Sequence, residues 1–456
     1  MARDQIDMRP IETRDELVAW LAEGCKPKSQ FRIGTEHEKF AFTTGRHNPV
    51  PYDQPRGIRA LLEGMKLLLG WEPIMEEGNI IGLYDVTGGG AISLEPGGQF
   101  ELSGAPVETV HQMCRELRAH LAQVHQVAQP LGIGFLGVGM APKWSRADMP
   151  MMPKGRYRIM TAYMPKVGKL GLDMMYRTCT VQTNLDFASE PDMVKKLRVS
   201  LALQPVGTAL FANSPFTEGK PNGFLSFRSE IWRDTDPARS GMLPWAFEPG
   251  MGFERWVDYA LDVPMYFVKR GERYIDVAGQ SFRDLMAGKL SALPGEHATI
   301  SDWANHLTTI FPEVRLKRYL EMRGSDSGPQ RRLPALPAYW AGILYDDACL
   351  DAAWDLVRHW TAEERQKLRD DVPMLGFKAE IRGVTVRELA RQTLALARAG
   401  LTRRGRKDRE GLDETQYLAP LEESVERGIT PAEELLQKFH GSWNGSVEPI
   451  FSEYAY

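Results

Sequence analysis

Strict alternation of polar and apolar residues is the feature that most constrains the fold of this chain. In "YRTCTVQTNLDF", residues 176 to 187, the polar Gln182 and Asn184 alternate with the apolar Val181 and Leu185. Successive side chains of a β-strand point to opposite faces, so this strand has one wet face and one dry face. The pattern predicts a sheet that is covered on one side and open on the other.

A second stretch, "GTEHEKFAF" at residues 34 to 42, places two carboxylates on one face of another predicted strand. Glu36 and Glu38 share that face with Phe40 and Phe42, which indicates that the face leads inward. Two unpaired carboxylates there would repel each other and lose their hydration, so a positive partner must compensate them. The sequence leaves open whether that partner is an arginine or a divalent metal ion. A solvated strand face is the alternative interpretation.

Two further stretches carry charged residues at strand spacing. "AISLEPGGQFEL" predicts a hairpin with Pro96, Gly97 and Gly98 as its turn, and a three-residue loop puts Glu95 and Glu101 on one face. "FPEVRLKRYLEMRG" predicts one strand with a densely charged face, on which Glu321 is followed two residues later by Arg323. On that face we interpret three residues as a surface ion-pair ladder: Glu313, Arg315 and Lys317.

Helices are predicted mainly towards the C-terminus. Capping boxes, in which a threonine is followed three residues later by a glutamate, predict helix starts after Thr13, Thr361, Thr385 and Thr430. We predict an α+β chain that forms a single catalytic unit over residues 1–456. Its mixed sheet-and-helix core extends to about residue 340, and residues 341–456 form a mainly helical extension.

The composition is that of a globular protein without a strong overall charge. The 456 residues are 43% hydrophobic and carry a formal net charge of −4, so no global field recruits nucleic acid or a membrane. The N-terminal "MARDQIDMRP" lacks an apolar core of signal-peptide length, and four widely spaced cysteines without a CxxC fit reduced thiols. We therefore expect a cytoplasmic enzyme that acts on small molecules as a monomer or weak homodimer.

Glutamates on several predicted strands suit a hard divalent cation. Mg²⁺ and Mn²⁺ prefer oxygen ligands, often carboxylates shared with substrate phosphates. Zinc is not expected, because "HEKFA" has Ala41 where HExxH requires its second histidine and no cysteine pair offers a site. We expect Mg²⁺ or Mn²⁺.

Long segments in a fixed order resemble glutamate–cysteine ligases of the plant and proteobacterial type. The resemblance runs from about Phe31 to the C-terminal "SVEPIFSEYAY" and includes "FRIGTEHEKFAF", "SLEPGGQFELSG", "MPKGRYRIM", "RTCTVQTNLDF", "NSPFTEGKPNGFLSFRSEIWRDTDPARSGMLP", "ALDVPMYF" and "HLTTIFPEVRLKRYLEMRGSD". It implies the glutamine-synthetase-like fold, which is a curved antiparallel half-barrel sheet with helices on its convex side. It also implies a helical C-terminal third.

The resemblance further implies a reaction and a set of site residues. In that family ATP phosphorylates the γ-carboxylate of L-glutamate, and the amine of L-cysteine attacks the acyl phosphate, in the first step of glutathione biosynthesis. The implied metal ligands are Glu36, Glu38, Glu95, Glu101, Gln182 and Glu321. The implied catalytic residues are Arg323 and Arg228, and the implied substrate contacts are Arg156, Arg228, Tyr266 and Trp144.

Several of these residues also have a structural interpretation. Trp144 and Tyr266 are residues that hydrophobic cores commonly contain. Arg233 and Arg239, in "WRDTDPARSG", are equally compatible with contacting substrate phosphate and with bracing their own loop.

Other functions remain open at this stage. Another carboxylate-activating or guanidine-phosphorylating enzyme of the same superfamily would keep the metal glutamates and change the acceptor pocket. A glycoside hydrolase would use two opposed carboxylates without a metal cluster. A non-catalytic binding module has no need for five carboxylates gathered from separate strands.

The cysteines depart from the plant pattern that the resemblance implies. Plant enzymes carry regulatory disulfides, but of those cysteines only Cys114 is matched here, and Pro334 holds the position of its partner. The second pair falls on Val277 and Ala292, so neither bridge can form. We therefore expect a bacterial enzyme without that thiol switch.

Overall fold

Strands in this computed structural model, which describes residues 7–456, follow the predicted alternation closely. Their bounds are β1 Ile33–Thr43, β2 Glu72–Glu76, β3 Asn79–Tyr84, β4 Ala91–Leu94, β5 Phe100–Ser103, β6 Ile133–Leu136, β7 Thr180–Leu185, β8 Phe216–Thr217, β9 Lys220–Pro221, β10 Ser240–Gly241, β11 Phe267–Arg270, β12 Arg273–Asp276, β13 Phe311–Pro312, β14 Val314–Leu316, β15 Leu320–Asp326, β16 Glu380–Ile381 and β17 Val384–Thr385.

Helices begin where the capping boxes predict them, at Thr13, Thr361, Thr385 and Thr430. Their bounds are α1 Arg14–Ala22, α2 Ile58–Leu69, α3 Val110–Leu131, α4 Gly155–Val167, α5 Gly171–Arg177, α6 Glu190–Phe211, α7 Phe227–Ile231, α8 Phe253–Asp262, α9 Phe282–Met286, α10 Ile300–Thr308, α11 Ala335–Leu344, α12 Asp347–Val357, α13 Ala362–Leu375, α14 Val386–Arg404, α15 Ala419–Arg427, α16 Pro431–His440 and α17 Ile450–Glu453.

One large antiparallel sheet dominates the first two-thirds of the chain. Its strand order is β14-β15-β7-β1-β5-β4-β3-β2, and β6 adds to it by pairing with β1. Because the end strands β14 and β2 do not pair with each other, the sheet stays open and does not close into a barrel. The predicted open antiparallel sheet is confirmed.

Helices cover one face of this sheet. Helix α6 packs along β14 and β15, and α11 packs against β7 and β1. Val181 and Leu185, on the dry face of β7, are buried in the same apolar cluster as Leu197 and Leu201 of α6. Burying each such side chain contributes about 1.5–3 kcal/mol, so this interface holds the sheet in place while leaving its polar face free.

Residues 341–456 are mainly helical, and they also contain the short strands β16 and β17, which the sequence did not predict. A single apolar cluster includes residues from Ile11 to Val425 and therefore spans position 340. The division into a core and an extension within one catalytic unit stays a prediction.

Within residues 7–456, no helix is long and apolar enough to cross a membrane. The expectation about a signal peptide concerns an N-terminal stretch of which residues 1–6 lie outside the described part.

The predicted single strand over "FPEVRLKRYLEMRG" is wrong. These residues form the hairpin of β14 and β15, in which Arg315 pairs with Glu321 and the Lys317 N–H donates to the Tyr319 carbonyl at 2.9 Å. Directly opposed residues of an antiparallel pair point to the same face, so the turn preserves the alternation that the sequence shows. A pattern of charged residues at every second position therefore does not distinguish one long strand from this hairpin.

Candidate active site

The polar face of the sheet forms the floor of a cavity of about 920 Å³. This cavity brings together most of the residues predicted from the sequence. Its lining includes Glu36, Glu38, Glu95, Glu101, Arg156, Gln182, Arg228 and Arg323. Glu321 is completely buried beneath this lining.

Strand register places the glutamates in two rows across the floor. In one row Glu38 of β1 pairs with Glu101 of β5, which pairs in turn with Ser93 of β4. In the other row Glu36 pairs with Gln182 of β7. Opposed residues in antiparallel strands have Cβ atoms about 4.5–5.5 Å apart, so each row collects side chains from neighbouring strands at one depth.

The tight turn between β4 and β5 holds Glu95 at the edge of the floor. The Gly98 N–H donates to the Glu95 carbonyl, and the Glu95 N–H donates to the Gln99 carbonyl, both at 2.9 Å. Gly98 has φ of 83°, a left-handed conformation that glycine adopts without strain. The predicted three-residue connection is confirmed, and Glu95 and Glu101 both face the cavity.

Glu38, Glu95 and Glu101 form a cluster that we call the acidic group. Burial raises the pKa of Glu38 well above its usual range, and the neighbouring charges of Glu95 and Glu101 raise it further. Arg228 and the backbone N–H of Thr180, at 2.9 Å, act in the opposite direction. In the described part of the chain, none of these three carboxylates forms a salt bridge, so the cluster combines acceptor oxygens with little compensating charge.

Glu36 lies between the acidic group and Glu321. Burial raises the pKa of Glu36, and the charges of Glu321 and Glu101 add to that effect. Its Oε1 accepts a hydrogen bond from Asn184 Nδ2 at 3.3 Å. Like Glu38, it is a half-buried carboxylate that a nearby cation would stabilise.

Glu321 is in a very different electrostatic environment. Its carboxylate contacts three cations, which we call the cationic group: Arg315 Nη2 at 2.5 Å, Lys317 Nζ at 3.2 Å and Arg323 Nη1 at 3.0 Å. Burial disfavours the charged form, but these three cations outweigh it and hold the pKa of Glu321 below its usual range. The interpretation of Arg315 and Lys317 as members of a surface ladder is wrong, because both side chains are buried against Glu321.

A β-bulge directs Arg323 towards the cavity. Between the pairs Met322–Thr183 and Ser325–Val181, the strand β15 has two residues, Arg323 and Gly324, opposite the single Gln182. Such bulges bend a strand and re-aim its side chains, and they are frequent beside active sites. The Arg323 Nη1 donates to Gln182 Oε1 at 2.8 Å, which joins the cationic group to the row that contains Glu36.

Arg228 enters the cavity from the first turn of the short helix α7, and not from a strand end as the sequence indicated. Its side chain is buried and lines the cavity, and its Nη2 donates to the Arg323 carbonyl at 3.0 Å. The Nε and Nη1 atoms have no hydrogen-bond partner within residues 7–456. A buried guanidinium with two unsatisfied donors is prepared to bind an anionic ligand.

The segment "MPKGRYRIM" supplies a second cationic side of the cavity. Arg156 lines it and donates from Nη2 to the Tyr157 hydroxyl at 3.1 Å. Lys154, which the sequence analysis did not single out, is buried there and donates to the Leu94 carbonyl at 2.7 Å. Burial lowers the pKa of Lys154 to about 8. The signal for Lys154 was its position two residues before Arg156 in a segment already singled out.

Trp144 and Tyr266 do not line the cavity, contrary to the sequence-based expectation. Trp144 packs against Phe40 and Phe451 and donates from Nε1 to the His47 carbonyl at 2.6 Å. Tyr266 is buried, and its hydroxyl donates to Asp236 at 3.1 Å. Both aromatic rings satisfy their polar atoms within the protein, which is the structural alternative.

Arg233 and Arg239 are also held away from the cavity. Arg239 is completely buried, pairs with Asp236 at 2.6 Å and donates to the Pro264 carbonyl at 2.6 Å. Arg233 pairs with Glu230 at 2.9 Å and with Asp370 at 3.1 Å near the surface. In the described structure loop and helix carboxylates occupy both guanidinium groups, which favours the bracing role over a contact with substrate phosphate.

The donor chemistry of the floor fits a hard divalent cation. Within residues 7–456 there is no preformed cluster of three or more His, Cys, Asp or Glu side chains that would hold a metal ion. The acidic group nevertheless offers three carboxylates from neighbouring strands in a common cavity, and Glu36 lies beside them. These are the oxygen ligands that Mg²⁺ and Mn²⁺ prefer.

The family model described as glutamate-cysteine ligase family 2 matches residues 32–453. This chain belongs to that family. It is 60% identical over 444 residues to the chloroplastic glutamate–cysteine ligase of Nicotiana tabacum, a match that covers 97% of this chain and 83% of the relative. It is 57% identical over 453 residues to the chloroplastic glutamate–cysteine ligase B of Oryza sativa subsp. japonica, covering 99% of this chain and 89% of the relative.

A solved member of the same fold is the glutamate–cysteine ligase of Francisella tularensis in complex with AMP. The two structures superpose with a TM-score of 0.57 at 12% sequence identity, over 93% of this chain and 89% of the other. This likeness shows that the chain has the same fold.

The relatives also correct two expectations. The similar proteins of Nicotiana tabacum, Oryza sativa and Arabidopsis thaliana are plant proteins named as chloroplastic. This finding contradicts the cytoplasmic location and the bacterial origin that the sequence analysis inferred. The two expectations rested on the N-terminal stretch, the wide spacing of the cysteines and the missing disulfide partners, and none of these features specifies a compartment.

Proposed function

We propose that this family member ligates the γ-carboxylate of L-glutamate to the amine of L-cysteine with ATP, in the first step of glutathione biosynthesis. The observation that carries the proposal is that the acidic group and the cationic group face one cavity. A cluster of carboxylates suits a hard cation, and a cluster of arginine and lysine side chains suits phosphate oxygens. The names of the relatives support the substrate pair, and the AMP in the Francisella tularensis complex supports a nucleotide substrate.

The reaction divides into two displacements. An oxygen of the glutamate γ-carboxylate attacks the γ-phosphorus of ATP, and ADP leaves. The cysteine nitrogen then attacks the carbonyl carbon of the γ-glutamyl phosphate, phosphate leaves, and the nitrogen loses a proton. Because phosphoryl transfer depends mainly on positioning and charge neutralisation, the proposed task of Arg315, Lys317 and Arg323 is to hold phosphate oxygens.

We assign the acidic group, with Glu36 and Gln182 beside it, to Mg²⁺ or Mn²⁺. When bound, such an ion would neutralise charge on the phosphate oxygens during transfer. Glu321 was expected among the metal ligands, but its carboxylate already contacts the three cations of the cationic group. We therefore assign Glu321 the task of orienting these cations.

Arg228 and Arg156 are the proposed contacts for the carboxylates of glutamate. Arg228 supports this assignment through its two unsatisfied guanidinium nitrogens, and Arg156 through its position in the lining of the same cavity. A planar guanidinium binds a carboxylate through two parallel hydrogen bonds. The proposed partners are small molecules only, with no nucleic acid or membrane, and the proposed assembly is a monomer or weak homodimer.

The direct test is substrate-dependent release of ADP by the purified protein in Mg²⁺. The proposal requires ADP release that depends on both L-glutamate and L-cysteine, together with γ-glutamylcysteine detected by mass spectrometry. Hydroxylamine in place of cysteine should yield the glutamyl hydroxamate, because it traps an acyl phosphate. ADP release with a different acceptor at a higher rate would point to another ligase of the superfamily, and no ADP release would reject the proposal.

A further inference from the structure

We infer that Asp326 is a positioning residue that aims Arg228 at the glutamate substrate, an inference that rests on the proposed function. Asp326 is the last residue of β15 and is buried, with 1% of its surface exposed. It lies three residues beyond Arg323, on the far side of the bulge. Nothing in the chemistry of the cavity requires a carboxylate at this depth, so its contacts must explain it.

The two oxygens of Asp326 hold both ends of the segment from residue 213 to residue 226. Its Oδ2 accepts from the Asn213 N–H at 2.8 Å and from the Ser214 hydroxyl at 2.7 Å. Its Oδ1 accepts from the Ser226 hydroxyl at 2.9 Å. Both serines are buried, so these hydrogen bonds do not compete with bulk water.

Each serine hydroxyl also accepts a hydrogen bond from the helix that carries Arg228. Ser226 is the N-cap of α7, and its hydroxyl oxygen accepts from the Ser229 N–H at 3.2 Å. The Ser214 hydroxyl oxygen accepts from the N–H of Arg228 itself at 3.2 Å. Asp326 thus fixes the backbone of the first turn of α7 through two serines, one bonded to the N–H of Arg228 and one to the N–H of Ser229.

The same arrangement leaves the Arg228 guanidinium available. The carboxylate of Asp326 uses its oxygens on Asn213, Ser214 and Ser226 and makes no hydrogen bond to the Arg228 side chain. Only Nη2 of that guanidinium is engaged in the described structure, by the Arg323 carbonyl, while Nε and Nη1 are buried without partners. The Asp326 carboxylate therefore stabilises the positive charge of Arg228 without using the hydrogen-bond donors of its guanidinium. Those donors stay available for the carboxylate of a ligand.

The backbone beside Asp326 leaves room for its carboxylate. A Cβ atom at Gly139 would lie 2.3 Å from Asp326 Cγ, so the glycine provides the space that the carboxylate fills. The neighbouring backbone approaches closely because Gly139 donates its N–H to the Asn213 carbonyl at 3.0 Å. Displacing Asp326 therefore moves the anchor of α7.

The test is a double-mutant cycle of Asp326→Asn and Arg228→Lys. Asparagine keeps the shape, but whichever way its amide turns, the NH₂ group meets a hydroxyl or N–H that now donates to the carboxylate. We expect Asp326→Asn to raise the KM for glutamate about tenfold, because a buried hydrogen-bond acceptor is lost. The KM for ATP should stay nearly unchanged. In the Arg228→Lys background the same change should add little, because the two residues act through one group.

Asp186→Asn is the matched control. Asp186 is also buried and directly follows a strand, where it accepts from the Arg32 N–H at 2.6 Å and pairs with Lys26 at 2.8 Å, but it does not contact the two serines that hold α7. If it and Asp326→Asn lower the melting temperature similarly, only Asp326→Asn should change the KM for glutamate. Equal changes in all three KM values, or additive effects in the cycle, would overturn the inference. Failure of the wild-type protein to form γ-glutamylcysteine would instead overturn the proposed function.

Discussion

The acidic group and Glu321 are the same kind of residue on one sheet, yet their charges are balanced in opposite ways. Glu38 is surrounded by carboxylates, and burial raises its pKa well above the usual range. Glu321 is completely buried, but three cations contact it and hold its pKa below the usual range. The comparison teaches that burial alone does not make a carboxylate a metal ligand, because its neighbours decide whether it still lacks positive charge.

The largest expected effect is on the acidic group. We predict that Glu38→Gln leaves the fold intact and abolishes nearly all Mg²⁺-dependent turnover, because it removes one of the carboxylates left without a salt bridge. Glutamine has nearly the same shape, so the melting temperature without metal should not fall, and relief of repulsion with Glu95 and Glu101 favours a rise. Turnover and melting curves check this.

The control for Glu38→Gln is Glu363→Gln, an exposed glutamate on α13. It should behave like the wild-type protein in both measurements. Normal activity of Glu38→Gln at ordinary Mg²⁺ concentrations would remove Glu38 from the proposed metal site.

Glu321→Gln should show the opposite pattern, with a clear loss of stability. Removing one partner of a buried ion pair costs about 3–5 kcal/mol, because the remaining charges stay buried. Here Arg315, Lys317 and Arg323 would be left facing one another. Urea unfolding should therefore report a lower free energy of unfolding, and the KM for ATP should rise while the Mg²⁺ concentration needed for half-maximal rate changes little.

A stable Glu321→Gln variant that needs much more Mg²⁺ would contradict this assignment. Glu321 would then be a metal ligand, as the sequence indicated, and its role would no longer differ from that of the acidic group.

Much of the fold and part of the site follow from the sequence alone. The alternation in β1 and β7 predicted the polar floor, and the Pro96–Gly98 turn predicted the shared facing of Glu95 and Glu101. Local sequence does not specify which side chains approach from other elements. The alternation alone does not place the turn that brings Arg315 and Lys317 onto Glu321, and contacts from residues earlier in the chain position the helix that presents Arg228. Trp144 and Tyr266, which the resemblance implied as substrate contacts, do not line the cavity, and no local pattern distinguishes an aromatic ring in a pocket from one packed in the core.

Outside the cavity, His306 tests the effect of burial without a compensating charge. Burial lowers the pKa of His306 from 6.5 to about 4, although its Nε2 contacts the Ala260 carbonyl at 2.8 Å. The folded state thus keeps this ring neutral while the unfolded chain takes up a proton as the pH falls below 6.5. Its contribution to stability is complete above pH 6.5 and is lost as the pH falls towards 4, by up to about 3 kcal/mol.

We therefore predict that His306→Gln has a flatter dependence of the free energy of unfolding on pH between 7 and 4 than the wild-type protein. Urea denaturation at several pH values measures it, with the exposed His297→Gln as the control. Parallel pH curves for the wild-type protein and His306→Gln would mean that other groups govern the loss of stability in acid.

The smallest expected effect concerns the thiols, which belong to neither group. Cys25, Cys114, Cys179 and Cys349 are all free in the described structure, and only Cys25 is more than slightly exposed. Cys114 lies on the buried face of α3, where an oxidant reaches it poorly. Pro334 occupies the position of the disulfide partner that the plant resemblance implies. We predict that activity and sedimentation behaviour are the same with and without dithiothreitol, and that Cys114→Ser leaves both unchanged. A several-fold loss of activity on removing the reductant, restored on adding it back and absent in Cys25→Ser, would show that a thiol outside the plant pattern controls the enzyme.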